Sequence, residues 1–346
     1  MVDNYNRVID YIRISITDRC NLRCVYCMPK EGMEFIPHEN ILTYEEIIRL
    51  CKCFASLGVS KVKLTGGEPL VRKDLPYLVK EIKSIHGIQN VTLTTNGILL
   101  ADQIEDLAKA GIDAVNVSLD TLDPDQFEQL TRFSKLDQVL EGIKETLKHT
   151  NVALKINCVP LREDHKDNNI LSMVSLAKDQ KLHVRFIEVM PIGLGKDLKG
   201  FTEEDIKEII ENEYGSLTPY KSPLGNGPCH YYNLEGFQGK IGFISAVSHQ
   251  FCDSCNRVRL TSEGYLKNCL QYSSGIDLKS LMRQGIGDEE LIEAIREAIS
   301  HKPKEHHFKE VMNKEKEFDN LANNQKDANQ ITDEELESRR MSQIGG

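Results

Sequence analysis

The chain has no long apolar run: nothing approaches the roughly 20 residues that a membrane-spanning helix needs, which excludes a membrane bundle. Its first residues, MVDNYNRVIDYIRIS, lack the apolar core of a secretory signal, so a cytoplasmic location is expected. Basic charge is not in excess. Lys and Arg number 43 against 53 Asp and Glu, a net charge of −10, which argues against a general nucleic-acid coat and leaves room for a local basic pocket. There is no internal repeat beyond an alternation of strand-like and helix-like stretches. No Ser/His/Asp or Cys/His grouping suited to nucleophilic catalysis stands out. With 40% apolar and 28% charged residues, the composition is neither disordered nor collagen-like. At ~150 residues per domain, the length suggests two domains, or one large one.

Cysteine, by contrast, is plentiful: there are ten. In a cytosolic chain such thiols more often hold metal or do redox chemistry than form disulfides. Six fall into two groups of three, Cys20, Cys24 and Cys27 near the start and Cys252, Cys255 and Cys269 near the end. Cys51, Cys53, Cys158 and Cys229 sit within apolar patterns and read as core or incidental thiols.

Between residues 10 and 190 six β-rich runs alternate with helical stretches: 12–17, 61–65, 90–95, 114–120, 152–159 and 183–189. This is the pattern of βα units around a parallel sheet. Thr43 and Glu46 predict a capping box, Ile47, Ile48, Cys51, Phe54 and Ala55 one apolar helix face, and Gly58 the helix end. Further helices are expected over 74–86, 100–110, 136–149 and 170–179.

Strands covered on both faces usually read as continuous apolar runs. Here five of the six alternate. One parity holds Arg13, Ser15, Thr17, Lys61, Lys63, Thr65, Thr92, Thr94, Asn96, Asn116, Ser118, Asp120, Lys155 and Asn157; the other is apolar apart from Thr95. The apolar set must meet the helices. The polar set then lines either the lumen of a partly closed barrel or the solvated face of an open sheet. A polar lumen is costly if dry and empty, and reasonable if it holds an anionic ligand. In the sixth run the parity is less clean, with Arg185 and Glu188 on opposite sides.

After Pro191 the pattern changes. A helix is expected over 203–213, then a Pro/Gly-rich stretch at 222–230, then short β-like runs at 231–234, 240–245 and 257–261. The expected organisation is a barrel unit over 1–215, a smaller module over 216–300, and a charged, helix-tending tail with little core over 301–346.

Three thiolates within eight residues, Cys20-x3-Cys24-x2-Cys27, can converge on one metal centre. An iron–sulfur cubane would take three of them and leave one iron for a non-protein ligand. Zinc would want a fourth ligand, and the closest downstream histidine is His38. For Cys252-x2-Cys255-x13-Cys269 the two metals are evenly matched by spacing, because His249 could complete a Cys3His zinc site. Arg257, Val258 and Arg259 follow at once. Two arginines on one side of an extended segment suit a phosphate-bearing ligand, or form an exposed basic strand.

The setting DRCNLRCVYCMP at 18–29, with Tyr26 before the third cysteine, and TGGEP at 65–69 resemble the radical S-adenosylmethionine enzymes. TGGEPLVR, TTNG at 94–97, NVSLD at 116–120, the second triplet followed by RVR, and the terminal Gly345-Gly346 together resemble the family of GTP 3′,8-cyclases of molybdenum cofactor biosynthesis. The resemblance runs from Arg13 to about Pro303 and returns at the last residues.

It implies an incomplete (βα)6 TIM-like barrel whose mouth is closed by a smaller C-terminal α+β module. It implies two 4Fe–4S clusters, one on Cys20, Cys24 and Cys27 and one on Cys252, Cys255 and Cys269. Tyr26, Gly67, Ser118 and Met190 match S-adenosylmethionine contacts; Arg13, Lys63, Thr94, Lys155, Arg257, Val258 and Arg259 match GTP contacts. Lys61 and Arg185 are further candidates for the triphosphate. Arg257, Arg259, Gly345 and Gly346 are the candidate catalytic residues. The implied reaction starts with reductive cleavage of S-adenosylmethionine. A hydrogen then leaves carbon 3′ of the GTP ribose, and the sugar closes on carbon 8 of guanine. The implied partners are GTP, a reductant such as flavodoxin or ferredoxin, and the next pathway enzyme, cyclic pyranopterin monophosphate synthase; a homodimer is a possible assembly, and the sequence does not reveal the oligomeric state. Lys63 stands where the family more often has Arg, and the segment 313–337 is longer and more charged than the family pattern.

Overall fold

The alternation along the strands is the alternation between the two faces of the sheet. In a computed structural model, residues 1–162, 167–310, 337 and 344 are described. The chain runs β1 (Tyr11–Ser15), α1 (Tyr44–Ser56), β2 (Lys61–Thr65), α2 (Leu75–Lys83), β3 (Asn90–Thr95), α3 (Leu100–Lys109), β4 (Ala114–Ser118), α4 (Pro124–Thr131) and α5 (Leu136–Leu147). β5 (Ala153–Cys158), α6 (Asp167–Ser175) and β6 (Leu182–Ile187) complete the βα series. The capping box of α1 forms as the sequence predicts, with Glu46 N donating to Thr43 Oγ1 and Thr43 N to Glu46 Oε2.

The remainder is α7 (Glu203–Tyr214), β7 (Thr218–Tyr220), β8 (His230–Asn233), β9 (Ile241–Ile244), β10 (Arg257–Leu260), β11 (Tyr265–Lys267), β12 (Gly275–Asp277), α8 (Leu278–Arg283) and α9 (Asp288–Ser300). All the strands belong to one sheet, ordered β12-β11-β10-β1-β2-β3-β4-β5-β6-β9-β8-β7. β1 to β6 are parallel; β10 joins β1 and β9 joins β6, both also parallel. The C-terminal strands therefore extend the barrel sheet from both of its edges. This is a partial, TIM-like barrel.

Ile14, Val62, Leu64, Val91, Leu93, Val115, Val117, Leu154 and Ile156 are buried against the helices in one core. The opposite parity faces the lumen. Arg13, Lys61, Lys63, Thr65, Thr92, Thr94, Asn96, Asn116, Ser118, Asp120, Lys155 and Asn157 all line a single cavity of about 790 Å³. Ser15 and Thr17, of the same parity, are buried outside that lining.

The stretch from 301 departs from the expected core-poor tail. Residues 302–306 and Phe308 wall the cavity, and Lys302, His306 and Phe308 are buried. Phe308 packs with Ile192, Val247, Leu270 and Ile344 in a second apolar cluster, with Met190 against it. Glu337 pairs with the fully buried Lys267. Among the described residues no helix is long and apolar enough to cross a membrane.

Candidate functional site: a cationic lumen with a thiol triplet at each end

The first triplet lies beyond the C-terminal end of β1. Cys27 N and Met28 N both donate to Cys24 O, at 3.0 and 2.9 Å, which curls the loop and turns its sulfurs inward. α4, absent from the sequence reading, clamps it: Arg23 N and Val25 N donate to Thr131 O and Leu130 O, and Arg132 Nη1 donates to Arg23 O and Met28 O. Gly66 and Gly67 press against the base of the same loop. A Cβ on Gly67 would stand 2.4 Å from Arg19 O and 2.6 Å from Asp18 O. The glycine is thus needed for this backbone approach, whatever the cavity holds. Glu68 accepts from Leu70 N, Thr95 Oγ1 and Asn96 N, tying the TGGEP turn to the end of β3. Burial raises its carboxyl to about 7 against the pull of these donors.

Cys20, Cys24 and Cys27 all face the cavity. Burial pushes Cys20 up to about 11 and Cys27 up to about 12, and Cys24 well above its ordinary value, with neighbouring thiols and Asp120 adding to the last two. Leu22 N and Asn96 Nδ2 point at Cys20 Sγ, at 3.4 and 3.9 Å. Tyr26 donates to Asp120 Oδ2 at 2.6 Å; Ser118 and Met190 share the same end of the lumen.

The second triplet lies at the other end. Cys255 comes two residues before β10, whose Arg257 is in register with Tyr11, the first residue of β1. Cys20 comes after β1 ends, so that strand, five residues or about 17 Å long, runs between the chain positions of the two triplets. Arg7, unremarked in the sequence, gathers this end. Its guanidinium donates to the carbonyls of Cys252, Pro303 and Lys304 at 2.7–3.0 Å while Nε holds Asp3 at 2.7 Å. Lys302 Nζ donates to Asn268 O, next to Cys269. Burial works to raise Cys255, but Lys302 and Arg257 prevail and bring its thiol down to about 7.

His249 does not complete a zinc site. It pairs with Glu204 at 3.5 Å and contacts Ser248, and it is absent from the cavity wall. Among the described residues no three His, Cys, Asp or Glu side chains converge tightly enough for one ion. Both triplets are free thiols open to one lumen, and the sulfurs within each are electrostatic neighbours. Three soft thiol donors facing a cavity have the chemistry of an iron–sulfur ligand set.

Between the ends runs a belt of cations: Arg13 beside Lys63 and Arg259 in register, then Lys155, Arg185 and Arg257. Lys61 belongs to the wall but is already paired with Asp10 at 2.7 Å. Burial depresses Lys63 well below its ordinary value, helped by Arg185, Arg13, Lys155 and Arg257. Burial and Arg185 bring Lys155 down to about 8. Four of the carboxylates on the cavity wall are engaged elsewhere: Glu68 and Asp120 by donors near the first triplet, Asp113 by Lys83, Glu188 by Val247 N and Ser248 N; the fifth, Glu305, is solvent-exposed. Such a belt is suited to a polyanion.

The structure therefore brings Arg13, Lys63, Thr94, Lys155, Arg257 and Arg259 together, along with Tyr26, Gly67, Ser118, Met190 and all six paired-group cysteines. Val258 is different: its side chain is fully buried in the core, in register with Ile12. Gly345 and Gly346 lie outside the described residues; their neighbour Ile344 is seated in the apolar cluster beside Met190. Cys229, read as incidental, also lines the cavity, on the loop 223–229.

The profile of the Radical SAM superfamily matches residues 14–174, and that of Molybdenum Cofactor Synthesis C matches residues 182–308. A GTP 3′,8-cyclase of Clostridium perfringens is 50% identical over 309 residues, covering 89% of this chain and 95% of that protein. The chain belongs to the GTP 3′,8-cyclase family of the radical SAM superfamily. The GTP 3′,8-cyclase of Lactiplantibacillus plantarum is 40% identical over 350 residues and matches the whole chain, tail included. Among solved structures, Streptococcus suis SuiB bound to precursor peptide SuiA superposes with a TM-score of 0.56 at 17% identity. The match covers 77% of this chain and 60% of that one, a likeness of fold alone. Membership makes the chemistry of this family member S-adenosylmethionine-dependent.

Proposed function

We propose that the chain is a GTP 3′,8-cyclase, joining carbon 3′ of the GTP ribose to carbon 8 of guanine at the first step of molybdenum cofactor biosynthesis. The observation that carries this reading is the lumen itself: two inward-facing thiol triplets, one at each end, with a belt of buried cations between them. Cys20, Cys24 and Cys27 would hold one 4Fe–4S cluster, and Cys252, Cys255 and Cys269 a second. With S-adenosylmethionine bound, the first cluster supplies one-electron reductive chemistry that yields a carbon radical.

The protein's own part is positioning. Tyr26, Gly67, Ser118 and Met190 flank the S-adenosylmethionine end. Arg13, Lys63, Lys155, Arg257 and Arg259 hold the triphosphate and purine, with Lys61 and Arg185 as further triphosphate contacts and Thr94 beside the sugar. Val258 would act only through its main chain. The barrel walls exclude water from the reacting sugar. Gly345 and Gly346 are kept as candidate catalytic residues because they match the family's terminal Gly-Gly.

The reading divides the chain into a barrel unit (1–215), a second-cluster module (216–300) and a tail (301–346). It implies a cytoplasmic enzyme, a homodimer, served by a reductant such as flavodoxin or ferredoxin and followed by cyclic pyranopterin monophosphate synthase. The test is anaerobic incubation of the iron- and sulfide-loaded chain with GTP, S-adenosylmethionine and a strong reductant. The cyclase reading expects 5′-deoxyadenosine and a cyclised nucleotide in equal amounts. S-adenosylmethionine cleavage that ignores GTP would overturn it.

A further inference from the structure

Buried arginines are usually matched by a carboxylate, because an uncompensated charge away from water is costly. Arg185 of β6 is not matched in this way. It is buried, and its Nη2 donates to two neutral amides, Asn116 Oδ1 at 2.7 Å and Asn157 Oδ1 at 2.5 Å. Asn157 is its direct neighbour in register on β5; Asn116 lies one strand further, on β4. The Asn116 amide is itself oriented, its Nδ2 donating to Leu93 O at 3.0 Å. On the other side Gly242 of β9 leaves room for the guanidinium stem: a Cβ there would stand 3.0 Å from Arg185 Cγ. Among the described residues no carboxylate contacts Arg185. Nη2 carries both amide bonds, the neutral Tyr231 lies alongside, and the charge stays available to the lumen.

Aspartate has almost the same shape as asparagine and would accept the same hydrogen bond. It would also cancel the charge. We propose that Asn157, assisted by Asn116, is a positioning and specificity residue: it holds Arg185 rigid but uncompensated, so that the lumen selects a nucleotide carrying a full triphosphate over those with fewer phosphates. The inference rests on the GTP reading above and deepens it. Two amides satisfy the geometry that a carboxylate would satisfy, without spending the charge on a neighbour inside the protein.

The experiment uses the full chain with its metal centres loaded, under anaerobic conditions. Equilibrium binding of GTP, GDP, GMP and guanosine is measured for wild type, Asn157→Asp and Asn157→Ala. Asn157→Asp is expected to weaken GTP at least tenfold, GDP less and GMP less again, with guanosine moved by less than twofold. Asn157→Ala, which keeps the net charge, should flatten this ladder far less. Should Asn157→Asp not fold, Asn116→Asp is read in the same way. An equal loss for all four ligands, or an unchanged GTP-to-GMP preference, would overturn the inference while leaving the cyclase reading intact. A wild-type chain that binds no guanine nucleotide would overturn that reading itself.

Discussion

Lys155 gives the belt a pH signature. Its ammonium is buried beside Arg185 and sits at about 8, against an ordinary value near 10.4. Among the described residues no carboxylate pairs with it, so an arriving triphosphate supplies a counter-charge and pulls the group back toward its ordinary range. Binding is then strongest where Lys155 is charged, below about pH 8, and weakens as pH rises through the gap between the empty and bound values. With an empty value of about 8 and a bound value of about 10.4, linkage makes GTP binding roughly eightfold weaker at about pH 9 than at about pH 7.5. The assay is anaerobic calorimetry in two buffers of different ionisation heat, which also counts the protons taken up. Lys155→Met should bind GTP about 10- to 100-fold more weakly at pH 7.5, the loss of one charge-assisted contact, and should lose this leg of the pH dependence. A GTP affinity independent of pH over that interval in the wild-type chain, or an unaltered profile in Lys155→Met, would refute the reasoning.

Folding responds to the same group with a defined sign. Because the folded value is depressed, Lys155 favours the folded state above about pH 10, and that contribution is lost as pH falls through about 8. Cys255→Ala should remove about half of roughly eight irons and abolish nucleotide cyclisation, with iron and sulfide analysis as the readout. Gly67→Ala places a methyl group against Asp18 O and Arg19 O, an overpacking cost of about 1–3 kcal/mol or more, and should deplete iron at the first triplet selectively. Arg7→Met frees the carbonyls of Cys252, Pro303 and Lys304 and leaves the buried Asp3 without its counter-charge, held only by the backbone N–H groups of residues 5 and 7. Stability should fall by about 3–5 kcal/mol in urea unfolding, with iron lost first from the second triplet.

The βα half of the molecule was legible because its strands write the lumen into their parity. Arg13, Lys63, Asn116 and Lys155 had to face away from Ile14, Val62, Val117 and Ile156, and they do. The cysteine triplets were legible from spacing. α4 was missed, although Asp123 and Pro124 carry a cap and a first-turn proline, with Asp123 accepting from Gln126 N. Its function, gripping the cysteine loop through Arg132, has no local signal at all.

Arg7 and the wall at 302–308 are nearly 300 positions apart, and only the fold brings them together. His249 misled for the opposite reason. Its spacing from Cys252 suits a metal ligand, yet its side chain is turned outward to Glu204. The tail from 301 reads as charged, while its apolar anchors, Phe308 and Ile344, are too sparse to form a pattern. How Arg185 is held was equally hidden, since asparagine on a polar strand face looks like any other polar residue until the register pairs it with an arginine.

The central claim is that S-adenosylmethionine and GTP meet in one chamber. The most direct measurement follows deuterium from GTP labelled at carbon 3′ through an anaerobic turnover. The account predicts one deuterium in each 5′-deoxyadenosine formed and none retained at carbon 3′ of the cyclised nucleotide; 5′-deoxyadenosine that carries only solvent or protein hydrogen would contradict it.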